Sequence, residues 1–118
     1  MKNKDIYDLY EGLAAIGQDN GLKFDARTSF YLARNKNLLE PYYNAIVETR
    51  TKILEKYGEA KEDGNWFVPK SRIEEFTREW DAFMSIENIV NLQKIKIEDF
   101  QTQVNIEIMG KLLPIIEE

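Results

Sequence analysis

A long helical pattern that contains a single proline constrains the fold of this 118-residue chain more than any other feature. The pattern covers residues 25–57, where Asp25 can cap the start and Gly58 can end the helix. Pro41 removes one backbone hydrogen bond and crowds the carbonyl of Asn37, which destabilises a continuous helix by about 3 kcal/mol. The sequence therefore predicts a kink or a break at residues 37–40, with Pro41 in the first turn of the next helix.

The apolar residues of this segment predict a helical hairpin. Leu39, Ile46 and Ile53 repeat every seven residues, which is enough for a paired helix but too short for a long coiled coil. Residues 71–74 have the composition of a capping box and begin a second helix that runs to about residue 86. That helix carries a heavy apolar stripe formed by Ile73, Phe76, Trp80 and Phe83. We expect the two stripes to pack antiparallel.

The remaining segments complete a mainly helical α+β fold in one domain, residues 1–118. The turn pair Asp63-Gly64 and the strand-like residues 66–68 predict a β-hairpin at one tip of the helix pair. Residues 4–16 predict a short amphipathic helix that packs on the pair. Alternating apolar residues at 89–97 and 104–108 predict a small C-terminal antiparallel β element, joined across residues 98–103 and followed by a short helix in residues 110–118.

The composition excludes most common catalytic chemistry. The chain has no cysteine and no histidine, so disulfides, Cys/His zinc sites, and Cys–His or Ser–His–Asp catalysis are impossible. No metal, cofactor or catalytic residue is expected, because each carboxylate cluster, such as Glu75 with Glu79, also fits a solvated helix face. We therefore expect a protein that is not an enzyme.

The charge of the chain favours a protein partner over nucleic acid. The net charge is −5, with nine basic and eight acidic residues in 1–57 but seven basic and thirteen acidic residues in 58–118. Nucleic-acid binding needs a basic surface, whereas an acidic half can attract a basic protein or maintain solubility. No apolar run is long enough for a membrane span, and residues 1–5 do not resemble a signal peptide, so a cytoplasmic location is expected.

Two groups of side chains are candidate binding residues. Arg27, Tyr31 and Arg34 share one helix face, where arginines beside an aromatic ring can grip a phosphate or stack on a base. These arginines can equally pair with Asp8, Glu11 or Glu40, as surface arginines usually do.

The second group is a candidate protein interface formed by Tyr42, Tyr43 and Arg50, since exposed Tyr and Arg are enriched in interface hot spots. Adjacent Tyr42 and Tyr43 cannot both face one core, so one of them should lie at the surface. The alternative is that these tyrosines pack at the core margin with their hydroxyls in water. The apolar stripes of the N-terminal helix (residues 4–16) and of the helix over residues 71–86 can exceed what one small core covers. A homodimer is therefore a further alternative.

Short segments with recognisable patterns follow one another along nearly the whole chain, namely residues 9–13, 33–35, 38–41, 56–58, 66–69, 73–76 and 95–100. In their order these segments resemble a family of small proteins of unknown function from phages and prophages of Gram-positive bacteria. The shared motifs are structural patterns without a chemical signature. The resemblance implies a phage accessory protein.

Three functions agree with these observations. The first is a phage protein that binds and inhibits or modulates a host protein, such as a defence component. The second is an accessory or chaperone in virion assembly. The third is a protein that sequesters a phosphorylated nucleotide, or a small enzyme that acts on one, through Arg27, Tyr31 and Arg34.

Overall fold

A computed structural model describes residues 1–18, 23–100 and 104–117, and its longest element is helix α2 (Ala26–Tyr57). The backbone amide of Thr28 donates to Asp25 Oδ1 at 2.7 Å, which confirms the predicted N-cap. At the other end, the Gly58 amide donates to the Leu54 carbonyl. The 32 residues of α2 extend about 48 Å at 1.5 Å per residue, so this helix accounts for the 50 Å length of the molecule.

Pro41 does not interrupt α2, so the break predicted from the sequence is wrong. The helix is continuous from Ala26 to Tyr57 with Pro41 inside it. Both Pro41 and Asn37, whose carbonyl loses its helical partner, are exposed. Water can hydrate that carbonyl, and the proline ring lies away from the packed side of the helix, so the local loss does not end the helix.

The hydrophobic core lies along the N-terminal two thirds of α2. Helix α1 (Asn3–Gln18) confirms the predicted N-terminal helix and buries its whole apolar stripe against α2 and helix α4 (Ile106–Leu112). Gly12 permits the close approach of α4, because a Cβ at that position would lie 2.9 Å from Lys111 Cβ. The buried apolar residues of this core are Ile6, Leu9, Leu13, Ile16, Leu32, Leu39, Ile46, Ile95, Leu112 and Ile115.

The opposite end of α2 carries the predicted β-hairpin and the third helix. Strands β1 (Glu59–Ala60) and β2 (Trp66–Phe67) pair antiparallel around a turn in which Gly64 has a φ of 85°. Helix α3 (Ile73–Met84) packs on α2 in antiparallel order, since Phe76 contacts Tyr57 and Trp80 contacts Arg50. The predicted capping box is wrong: a 3₁₀ turn over Lys70–Arg72 leads into α3, and no side chain caps it.

Part of the C-terminal region forms β-strands, but these strands do not form the predicted antiparallel pair. Strand β3 (Ile95–Lys96) pairs in parallel with strand β4 (Ile116–Glu117), and residues 106–112 form α4 instead of a strand. Asn105 caps α4 by accepting from the Glu107 amide at 2.8 Å. A parallel pair needs a crossover between its strands, and α4 with the following 3₁₀ turn (Leu113–Ile115) supplies it. Residues 101–103 of the predicted connection and Glu118 of the predicted last helix lie outside the described residues.

The structure therefore confirms the mainly helical α+β class, with four helices and two sheets of two strands in the described residues. Within those same residues, none of the helices has the length and apolar character needed to cross a membrane.

Replacing Leu39 by alanine tests the placement of the core. Leu39 is completely buried, whereas its neighbour Leu38 is 40 % exposed. We expect Leu39→Ala to lower the free energy of unfolding by about 2–5 kcal/mol, because it removes buried methyl groups and leaves a cavity. Leu38→Ala is the control and should change it by less than about 1 kcal/mol. Urea unfolding followed by circular dichroism measures both, and equal losses would contradict the assigned core.

The ion pair between α2 and α3 predicts a pH effect. The ammonium of Lys56 lies 3.1 Å from Glu79 Oε2. The Tyr57 hydroxyl and the Lys56 ammonium lower the pKa of Glu79 from its usual value of 4.5. Since the folded carboxyl binds protons less readily, its contribution to stability is present above pH 4.5 and is lost as the pH falls through the folded pKa.

We therefore expect Glu79→Gln to lower the melting temperature at pH 7, and the difference from the wild type to shrink in acid. Glu62→Gln, at an exposed position of the hairpin turn, is the control and should leave the curve unchanged. Melting temperatures measured from pH 7 to pH 3 check this, and a difference that does not vary with pH would refute it.

Candidate functional site

The structure places the three predicted ligand residues at two different surfaces. Arg27 and Tyr31 line a cleft of about 180 Å³ between α2 and the β3–β4 pair. Arg34 instead lines a groove of about 410 Å³ on α2, together with Phe30, Ala33, Asn37 and Leu38. The set that shares one stretch of helix in the sequence is thus divided between two candidate sites.

The cleft, called here the basic cleft, collects three cations and two carboxylates. Lys94 and Lys96 join Arg27 on its wall, and Asp99 and Glu117 face the same space. The Arg27 guanidinium lies 5.6 Å from the centre of the Tyr31 ring, and the neighbouring Tyr31 side chain raises the pKa of Arg27. The excess charge is one positive unit, and the volume is below the range of about 300–1,000 Å³ of most ligand pockets. The basic cleft therefore has room for a small anion such as phosphate, but not for a nucleotide.

A buried amide positions the lysines of the basic cleft. The Asn35 side chain is completely buried, donates to the Gln93 carbonyl at 2.9 Å, and accepts from the Gln93 amide at 2.9 Å. This pair fixes the backbone immediately before Lys94, whose ammonium donates to the Pro114 carbonyl. Asn35 is not among the candidate residues predicted from the sequence. Its position between Leu32 and Leu39 on the buried face of the helix is the signal that could have found it, since buried amides need partners.

The predicted interface residues also separate. Tyr42 is 37 % exposed, while Tyr43 is half-buried and stacks on Tyr10 and Tyr7, with ring centres 4.1 and 5.2 Å apart. This confirms that only one of the adjacent tyrosines lies well exposed at the surface. The pKa of the Tyr43 hydroxyl is raised, and partial burial of the side chain is the main cause.

Arg50 joins the same array of rings. Its guanidinium lies 4.1 Å from the centre of the Tyr7 ring and 4.6 Å from that of Trp80. Cation–π contacts contribute about 0.5–2 kcal/mol each, and aromatic pairs about 0.5–1.5 kcal/mol. Tyr43 and Arg50 therefore help to hold α1, α2 and α3 together, and Tyr42 is the member of the predicted set that is available to a partner.

The groove on α2 has the geometry of a helix-packing surface. Phe30, Arg34, Leu38 and Tyr42 follow one another every fourth residue and form a continuous ridge. Ala33, Asn37 and Pro41 form the neighbouring ridge, and the groove lies between the two. Ridges of this spacing accept the ridge of a second helix, and the small Ala33 side chain leaves the groove open. Phe30 is 62 % exposed at its edge. We call this surface the α2 groove.

Within residues 1–18, 23–100 and 104–117, no group of three or more carboxylates is placed to hold a metal ion. Comparison of the chain with protein-family models, curated protein sequences and solved structures found no match.

Replacing Asn35 by leucine tests the positioning role of the buried amide. The variant keeps the size of the side chain but leaves the amide and carbonyl of Gln93 without partners. We expect a lower free energy of unfolding, by about 1–3 kcal/mol for each group left unpaired. Asn37→Leu, on the exposed side of the same helix, is the control and should have little effect. Urea unfolding followed by circular dichroism measures both variants. An Asn35→Leu protein as stable as the wild type would show that the pair has no structural role.

Proposed function

We propose that this protein is a non-enzymatic phage accessory protein that binds a host protein through the α2 groove and modulates it. The observation that carries the proposal is the exposed ridge of Phe30, Arg34, Leu38 and Tyr42 beside an open groove. Single exposed apolar side chains are ordinary, but a contiguous patch marks an interaction site. The resemblance to phage proteins supports a partner in the cytoplasm of the host cell.

The ridge also supports a particular kind of partner. A groove between two rows of side chains four residues apart fits an amphipathic helix that crosses α2. Arg34 is the one charged side chain among the described residues that line the groove, and the net charge of the chain is −5. We therefore propose a partner helix that presents apolar side chains and a carboxylate that pairs with Arg34.

The absence of histidine and cysteine from the sequence supports a role in binding instead of catalysis. The basic cleft gives little support to nucleotide binding, because its volume of about 180 Å³ is small and Asp99 and Glu117 offset most of its charge. A role in virion assembly would use the same α2 groove with a virion protein as partner, and the identity of the partner separates the two.

Capture from host lysate, followed by direct binding measurements, tests the proposal. Phe30→Ser and Leu38→Ser remove apolar groups from the ridge, and Arg34→Glu reverses its charge. Val47→Ser is the matched control, because Val47 is 39 % exposed on α2 but lies outside the groove, while Leu38 is 40 % exposed. We expect the dissociation constant of the purified partner to rise about tenfold or more for each ridge variant, as hot-spot substitutions do, and to stay unchanged for Val47→Ser.

A captured protein that binds Leu38→Ser as tightly as the wild type would overturn the proposed site. Capture of a virion protein from infected cells, with loss of binding in the same variants, would overturn the host partner and favour the assembly role.

A further inference from the structure

A third cavity lies beside the α2 groove and apart from the basic cleft. It has a volume of about 580 Å³ and lies between the C-terminal turns of α1 and the N-terminal part of α2. That volume falls within the range of about 300–1,000 Å³ that is typical of small-molecule pockets. It borders the α2 groove only at Ala33, and Arg27 and Tyr31 do not line it. We call it the lysine cavity.

The floor of the lysine cavity is apolar. Leu13 and Ile16 from α1 face Leu32 from α2, and Phe24, just before α2, lies at the side. These four residues belong to the hydrophobic core or pack against it, so their positions are fixed by the fold. A rigid apolar floor of this kind binds the hydrocarbon part of a ligand without having to reorganise.

The polar part of the cavity is basic. Lys23 and Lys36 both line it, and no acidic side chain does so among the residues that the structure describes. The Lys36 ammonium also lies 5.9 Å from the centre of the Tyr10 ring, which is outside the cavity lining. Two lysines beside an apolar floor, in a chain with a net charge of −5, form a local site for an anion. We infer that the lysine cavity binds a small amphipathic anion, an apolar body that carries one carboxylate or phosphate group.

Gly17 allows this inference to be tested by filling the cavity. Gly17 lines the cavity from α1, and a Cβ added there meets no atom of the described residues within 4 Å. A larger side chain at this position has open space to occupy. Gly17→Leu also replaces a glycine of α1 by a good helix former. The variant should therefore block the cavity without unfolding the protein.

Isothermal titration calorimetry of the full chain with decanoate, decyl phosphate and decanol tests whether the lysine cavity binds an amphipathic anion. We expect both anions to bind and decanol to bind about tenfold more weakly or worse, since a charge-assisted hydrogen bond contributes at least that factor. Lys23→Gln and Lys36→Gln should each weaken the anions without changing decanol, and Lys61→Gln in the hairpin is the matched control. Gly17→Leu, with its helix content verified by circular dichroism, should abolish binding of all three. Whichever anion binds more tightly identifies the carboxylate or the phosphate as the natural group.

Several results would overturn the inference: no binding of either anion, equal binding of decanol, or undiminished binding by Gly17→Leu. The inference is independent of the proposed docking role. Leu38→Ser should bind decanoate like the wild type, and a loss of binding in that variant would place the ligand in the α2 groove and refute the lysine cavity.

Discussion

The hydrogen-bonded pair between Asn35 and Gln93 is the interaction on which the C-terminal third of the structure depends. It joins residues 58 positions apart through a side chain that water does not reach. A buried amide with only one partner would destabilise the fold, so both hydrogen bonds are required together. With Gln93 fixed on α2, Ile95 enters the core and β3 lies where β4 can pair with it. The same constraint sets Lys94 and Lys96 opposite Arg27.

Helices α1, α2 and α3 and the hairpin could be predicted because local sequence determines them. Asp25 caps α2, the turn with Gly64 reverses the hairpin, and the apolar stripe of α1 matches the helical period. The C-terminal region could not be predicted, because alternation of Val104, Ile106 and Ile108 fits a strand as well as the start of a helix. Tertiary contacts decide between them: Leu112 is buried against α1, whereas Ile106 remains exposed. The break predicted at Pro41 is wrong for a related reason, because the effect of a proline on a helix depends on whether its ring faces the core or water.

The candidate sites were predicted less well than the fold. A spacing of seven residues predicts Arg27 and Arg34 on one face of a helix, but the structure places them at different surfaces. Arg27 lines a cleft with residues of the β3 segment, and Arg34 lines a groove formed by residues of α2 itself. Arg50 offers the clearest example, because it is sandwiched between Tyr7 of α1 and Trp80 of α3, neither of which is near it in sequence. The lysine cavity likewise is lined by residues of both α1 and α2, and no local pattern encodes how the two helices pack.

The uneven distribution of buried residues along α2 has a consequence for spectroscopy. Both tryptophans of the chain, Trp66 and Trp80, lie at the hairpin end, outside the main core cluster. The described part of α3 contains no fully buried side chain, and Ile53 is the one buried apolar residue of α2 that lies outside the main core. Intrinsic fluorescence therefore reports on the hairpin end, whereas circular dichroism at 222 nm averages over all the helices. Whether the two signals change together on unfolding reveals if the two ends of this long helix lose their structure as one cooperative unit.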